Sequence, residues 1–163
     1  MLRNQHLTLA LVAVFLVSGF SGLIYQSIWT HYLKLFLGHA AYAQALVLAT
    51  FMAGLALGSW WAAQLSRGRM SLLYLYALAE LAVGFYALFF HSLFNWSIEL
   101  TFAGFLSNVE TIELAYLIKW GVGLLLILPP SILLGTTFPL LAEGLLQRSS
   151  ESRGRLLALL YFT

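Results

Sequence analysis

The chain has 163 residues, of which 61% are hydrophobic and 9% charged, and its mean hydropathy is +0.89. A soluble domain usually carries about 25% charged residues, so these charges cannot clothe a globule and the solvent for most of the surface is lipid. The net charge of +2, with no Lys/Arg cluster, gives no basis for nucleic-acid binding; the absence of cysteine excludes disulfides, thiolate metal sites and cysteine chemistry, and leaves the redox compartment open.

The first apolar run is Leu7–Ile24. Its "MLRNQH" start resembles the basic region of a signal peptide. The run is too long for one, however, and no small-x-small cleavage site follows, which predicts a retained helix. Residues 25–38, "YQSIWTHYLKLFLG", come next. Ser27, Thr30, His31 and Lys34 recur at i, i+3, i+4 and i+7, while Ile28, Trp29, Tyr32, Leu35 and Phe36 take the other face. This is an amphipathic helix that lies along the membrane surface or prolongs the first span, with Trp and Tyr suited to the interfacial belt.

The second span, Tyr42–Leu65, carries Thr50, Gly54, Gly58 and Ala62 at steps of four. In lipid, small residues let helix backbones approach closely, so the stripe reads as helix packing or as a sliding surface. The third span, Leu72–Phe94, holds Glu80 in its middle. A charged residue at that depth costs roughly 2.5–3.5 kcal/mol on insertion scales, so Glu80 is expected to face protein or water. Its face also carries Ala77, Gly84 and Ala87 and is expected to be packed. Glu80 is then a proton or cation site, or a hydrogen-bonded packing residue.

Residues 95–115 connect the third and fourth spans, either as a short interfacial helix or as an exposed loop. The fourth span runs from Tyr116 to Leu146 and contains every proline of the chain, Pro129, Pro130 and Pro139. Each proline removes a donor and frees the carbonyl four residues earlier, here Leu125, Leu126 and Gly135. Lipid cannot satisfy those groups. Ser131, Thr136 and Thr137 are at hand to do so, and a bend or break between Leu128 and Pro139 is expected, buried by neighbours or lining a cavity. The second span is the expected neighbour.

Arg3, Arg67, Arg69, Arg148, Arg153 and Arg155 account for six of the eight basic residues and would share one side of the membrane, with Lys34 and Lys119 opposite. That asymmetry predicts both termini in the cytoplasm. His31 and His39, eight residues apart without a carboxylate or thiolate beside them, make no metal site. The chain has no Asp, so no Ser-His-Asp arrangement exists, and no phosphate-binding Gly-rich loop is visible.

Four stretches, "SGFSGLIYQSIWTHYL", "FMAGLALGSWWAAQLSRGR", "ALAELAVGFYAL" and "PPSILLGTTFPLLAEGL", come in an order that resembles bacterial membrane proteins of the fused transporter/spermidine-synthase type. The resemblance spans Val17 to Tyr161. It implies a membrane region like part of a major facilitator fold, ahead of a cytosolic synthase-like domain whose nucleotide-binding loop does not occur here. Two departures, Ser66 where the facilitator loop motif has an acid and His31 where an Arg is usual, count against transport-type gating. The closing "LLALLYFT" covers only about 12 Å at 1.5 Å per residue, whereas the resemblance implies a full helix there, so a fragment or a naturally short member is expected.

The expected architecture is therefore all-α: a polytopic transmembrane bundle of four spans plus the start of a fifth, forming one domain in the bacterial inner membrane. The expected role is a structural or accessory subunit surrounded by lipid, with partner subunits or as an oligomer. A membrane anchor or substrate-delivery module for an absent synthase-like domain, or a small transporter-like module, are the alternatives; no internal repeat supports the last. No enzyme activity, cofactor or metal is expected. Glu80, Gln26, His31, Pro129, Pro130 and Pro139 are the candidate functional or packing residues, and Thr50, Gly54, Gly58 and Ala62 the helix-packing ones.

Overall fold

A computed structural model of the chain describes residues 2–66 and 71–148. Four long helices make up almost all of it: α1, Leu2–Leu37; α2, Ala40–Leu65; α3, Leu72–Leu100; and α4, Ile112–Arg148. Each contains a stretch long and apolar enough to cross a membrane. The basic loop with Arg67 and Arg69, Arg153, Arg155 and the apolar tail expected to begin a fifth helix lie outside the described residues.

The helices alternate in direction. One apolar cluster joins Trp29 and Leu33 of α1, Val47 of α2, Phe90 and Phe94 of α3 and Ile127 of α4. A second joins Val12 of α1, Ala62 of α2, Tyr76 of α3 and Leu141 of α4. The start of α1 and the end of α4 thus share one end of the bundle, here the N-terminal end, and the first cluster marks the far end. Aliphatic side chains of α4, among them Leu126, Ile127, Leu134 and Leu141, fill the middle: 56% of its most apolar window is buried inside the bundle, against 11% for α1. The proline-bearing helix is the axis about which the others pack.

Residues 25–38 prolong the first span instead of lying on the surface. They form the last turns of α1, which ends at Leu37. Gly38 takes φ +77°, a conformation only glycine adopts without strain, and its N–H bonds the Lys34 carbonyl at 3.0 Å. With His39 it reverses the chain directly into α2. Ser27, His31 and Lys34 are exposed as expected, but so are Ile28 and Leu35. Trp29, at 3% exposure, is core and not an interfacial belt residue. The exposed aromatic residues that suit the belts are Trp60, Trp61 and Tyr74 toward the N-terminal end and Tyr42, Trp96, Tyr116 and Trp120 at the far end. Along α2, Tyr42 and Trp60 are separated by about 27 Å at 1.5 Å per residue, close to the thickness of a hydrocarbon core.

The connection between α3 and α4 is shorter than the sequence suggested. The α-helix continues to Leu100, widens through a π-helical turn at Thr101–Phe105, tightens through a 3-10 turn at Leu106–Asn108, and reaches α4 at Ile112. Phe102 lies within the π turn, and Lys119 of α4 stands 5.1 Å from its ring and 5.9 Å from that of Phe36. This is cation–π geometry.

Candidate functional site

The contact between α2 and α4 is the closest in the molecule. Ala43, Val47, Thr50, Gly54, Gly58 and Ala62 form the buried face of α2, in steps of three and four. Gly54 meets Ser131 and Ile132, and Gly58 meets the Ile132 carbonyl and Gly135. A Cβ on Gly58 would lie 2.8 Å from the Gly135 Cα, and one on Gly135 would lie 2.5 Å from the Leu55 carbonyl oxygen. Backbone therefore touches backbone, which only glycine on both sides permits.

The three prolines lie inside α4, and the helix runs through them without a break. Of the bend or break expected between Leu128 and Pro139, the break does not occur, and two of the three freed carbonyls find donors on neighbouring helices. Tyr86 of α3 donates its hydroxyl to the Leu126 carbonyl at 2.6 Å. Ser59 of α2 donates to the Gly135 carbonyl at 3.1 Å. Pro130 and Pro139 had removed the usual donors to those two groups. The third freed carbonyl belongs to Leu125, which is 68% exposed on the flank of the bundle.

The nearby hydroxyls of α4 serve otherwise than the sequence suggested. Ser131 donates to the Ile127 carbonyl, Thr136 to that of Leu133 and Thr137 to that of Leu134, each at 2.7 Å. These bonds reach back three or four residues within the same helix. Pro130 and Ser131 are fully buried.

Glu80 is half-buried on α3 and spans to α1, where Ser18 donates its hydroxyl to Oε2 at 2.7 Å. Its other oxygen, Oε1, is buried and makes no hydrogen bond. One turn earlier on α3, the Tyr76 side chain is only 2% exposed and its hydroxyl is buried. The face around Glu80 is not the packed one expected. Ala77 is exposed, and a Cβ on Gly84 would meet nothing within 4 Å. The packed face of α3 is instead Tyr76, Ala79, Val83, Phe90 and Phe94.

Gln26 is half-buried, and its main-chain carbonyl accepts the Thr30 hydroxyl at 2.9 Å. His31 is exposed, its ring at right angles to that of Tyr32. The polar group at the far end is a different one. Tyr32 lies 2.8 Å from Nδ1 of His91, and Asn95 Nδ2 lies 3.1 Å from its Nε2. With Asn95 donating, Nε2 accepts and the Nδ1–H is directed at the Tyr32 oxygen. This chain clasps α1 to α3 beside the Tyr32–Phe94 ring pair, whose centroids are 4.8 Å apart.

Sequence reasoning missed Ser18, Ser59, Tyr76, Tyr86 and His91. Ser18, Ser59, Tyr86 and His91 act across helices, and no spacing within one helix announces such a contact, whereas Tyr76 stands four residues before Glu80 on the same helix. Among the described residues no group of three or more His, Cys, Asp or Glu could hold a metal ion. Comparison with protein-family profiles, curated proteins and solved structures returns no match.

Proposed function

We propose that the chain is a structural or accessory subunit of a larger membrane complex, seated in the bacterial inner membrane with both termini in the cytoplasm. The observation that supports this reading is the α2–α4 contact. Backbone meets backbone at Gly54, Gly58 and Gly135, so the axis helix has no room to slide or rotate against its neighbour. A scaffold benefits from such a lock, whereas alternating access requires one group of helices to rock against another. The resemblance of its motifs to the membrane region of spermidine-synthase-like proteins fits the same reading, in which this part holds position and chemistry belongs elsewhere.

The test is native mass spectrometry of the full chain, extracted at its natural abundance in lipid nanodiscs. The expected result is a discrete assembly in which the 18.1-kDa chain is stoichiometric with other subunits. A chain recovered alone, which also moves a solute across reconstituted vesicles, would favour the transporter-like alternative instead. The half-buried Glu80 is the observation on that alternative's side.

The orientation has its own check. Cysteines placed at Asn108 and Ser149 have no native thiols to compete with, since the chain has none. They should be modified by membrane-impermeant reagent from opposite sides, Ser149→Cys only from the cytoplasmic one. Modification of both from one side would overturn the topology.

A further inference from the structure

We infer that the cleft on the outer flank of α4, at its first turns, is a binding site for one phospholipid whose headgroup ends in an ammonium group. Glu113, Tyr116 and Trp120 hold the headgroup, and the flank below them seats an acyl chain. The inference is independent of the accessory-subunit reading, because a lipid can occupy this flank with or without protein partners.

Glu113, Tyr116, Leu117 and Trp120 line a cleft of about 290 Å³. They stand at i, i+3, i+4 and i+7, so one face of α4 supplies all four. Side chains of a helix lean toward its N-terminus, which carries the Trp120 ring back over the turn that bears Tyr116. The ring is braced from α2: its centroid lies 6.2 Å from that of Tyr42, whose own lies 4.7 Å from the His39 ring. The cleft therefore has a braced aromatic wall, a second ring in Tyr116 and a carboxylate at its mouth. Drug-sized ligands fill pockets of about 300–1,000 Å³, so this space suits a headgroup and not a larger solute.

The chemistry selects a cation. The faces of Trp and Tyr attract an ammonium through the ring quadrupole, and Glu113 supplies the opposite charge. Lys119, the only basic residue in the first half of α4, stands instead over the Phe102 and Phe36 rings. A free anion is a poorer occupant. Helix N-termini favour anions, but Glu113 already places a negative charge in the first turn of α4.

Depth selects a lipid. Tyr42 and Trp120 belong to the aromatic belt of the far end. Glu113 precedes Trp120 by two turns, about 10 Å along the axis at 1.5 Å per residue, so its carboxylate stands among headgroups while Trp120 borders the hydrocarbon. Below the cleft, Leu117, Gly121 and Leu125 follow at steps of four. The two leucines are 70% and 68% exposed, and a Cβ on Gly121 would meet nothing within 4 Å. The missing side chain leaves an outward-facing hollow between them, in which an acyl chain can lie. The Tyr116 hydroxyl offers a donor to the phosphate that joins the two parts of the lipid.

The test is native mass spectrometry of the full chain, released from micelles that hold equal amounts of dioleoyl phosphatidylethanolamine and dioleoyl phosphatidylglycerol. Both lipids have the phosphate and the same chains; only the first has the ammonium. The expected result is retained phosphatidylethanolamine in severalfold excess. Glu113→Gln, at an exposed position where the fold is not at stake, should remove most of that excess, and so should Trp120→Leu. Trp96→Leu, which deletes another exposed belt tryptophan of the same end, should leave it intact. Equal retention of the two lipids by the parent chain, an undiminished excess in Glu113→Gln, or an equal loss in Trp96→Leu would overturn the inference. Displacement of the lipid by ethanolamine at comparable concentration would assign the cleft to a soluble amine and overturn it as well.

Discussion

Substituting Gly58 by alanine should cost this bundle more than any other single methyl group. The added Cβ would run into the Ile132 carbonyl and stand 2.8 Å from the Gly135 Cα. Both obstacles are backbone, so no side chain can rotate away, and α2 and α4 must separate along their length. Overpacking in a tight core costs about 1–3 kcal/mol, and a backbone-to-backbone clash belongs at the top of that range. The control lies in the same molecule. Gly19→Ala and Gly84→Ala add the same methyl group where nothing stands within 4 Å, and helix propensity alone would make them neutral to slightly favourable. Equilibrium unfolding in mixed micelles should show Gly58→Ala strongly destabilised and the two controls unchanged. Equal behaviour of all three would mean that the α2–α4 contact is not the one described.

The second large effect concerns the prolines. Tyr86→Phe leaves the Leu126 carbonyl without a donor, because Pro130 has no N–H to give it. Ser59→Ala does the same to the Gly135 carbonyl beneath Pro139. An unsatisfied buried acceptor costs about 1–3 kcal/mol, although interhelical bonds in membranes measure nearer 0.6 kcal/mol on average. What distinguishes this account from lost packing is rescue. Pro139→Ala restores an N–H that can reach Gly135 from within α4, so Ser59→Ala should cost markedly less in that background. Pro130→Ala should soften Tyr86→Phe in the same way. A double-mutant cycle on unfolding free energies reads the coupling. Strict additivity in both pairs would show that the hydroxyls do not replace the missing amides.

Much of this architecture is legible in one dimension. Lipid forces backbone polar groups to be satisfied within each span, so length and hydropathy alone mark four helices, and the steps of four from Thr50 to Ala62 mark the face of α2 along which a backbone can approach. The prolines likewise announce that α4 faces protein, because freed carbonyls require donors. The far end of α1 was less legible. An amphipathic pattern with Trp29 and Tyr32 has the same signature on a membrane surface as in a bundle that buries one face, and only packing against Phe90 and Phe94 distinguishes the two.

The polar contacts were decided by the tertiary structure. Ser59, Tyr86 and Ser18 are unremarkable in sequence, yet each supplies a hydrogen bond to a residue 40 or more positions away. The hydroxyls nearest the prolines were the natural candidates by spacing, but within its own helix a Ser or Thr side chain reaches only the carbonyls three or four residues behind it. For Ser131, Thr136 and Thr137 those are Ile127, Leu133 and Leu134, none of them freed by a proline. The surroundings of Glu80 follow the same logic. Its depth is a matter of counting residues along α3, whereas its exposure on one side and its unpartnered oxygen on the other depend on how far α1 stands from α3. The sequence by itself determined which segments are helices and which of their faces are smooth, because those are local consequences of an apolar solvent. Which donor meets which acceptor was left to the packing of helices against one another, since a hydrogen bond between two spans depends on their relative rotation and depth, and neither is written in the period of either helix.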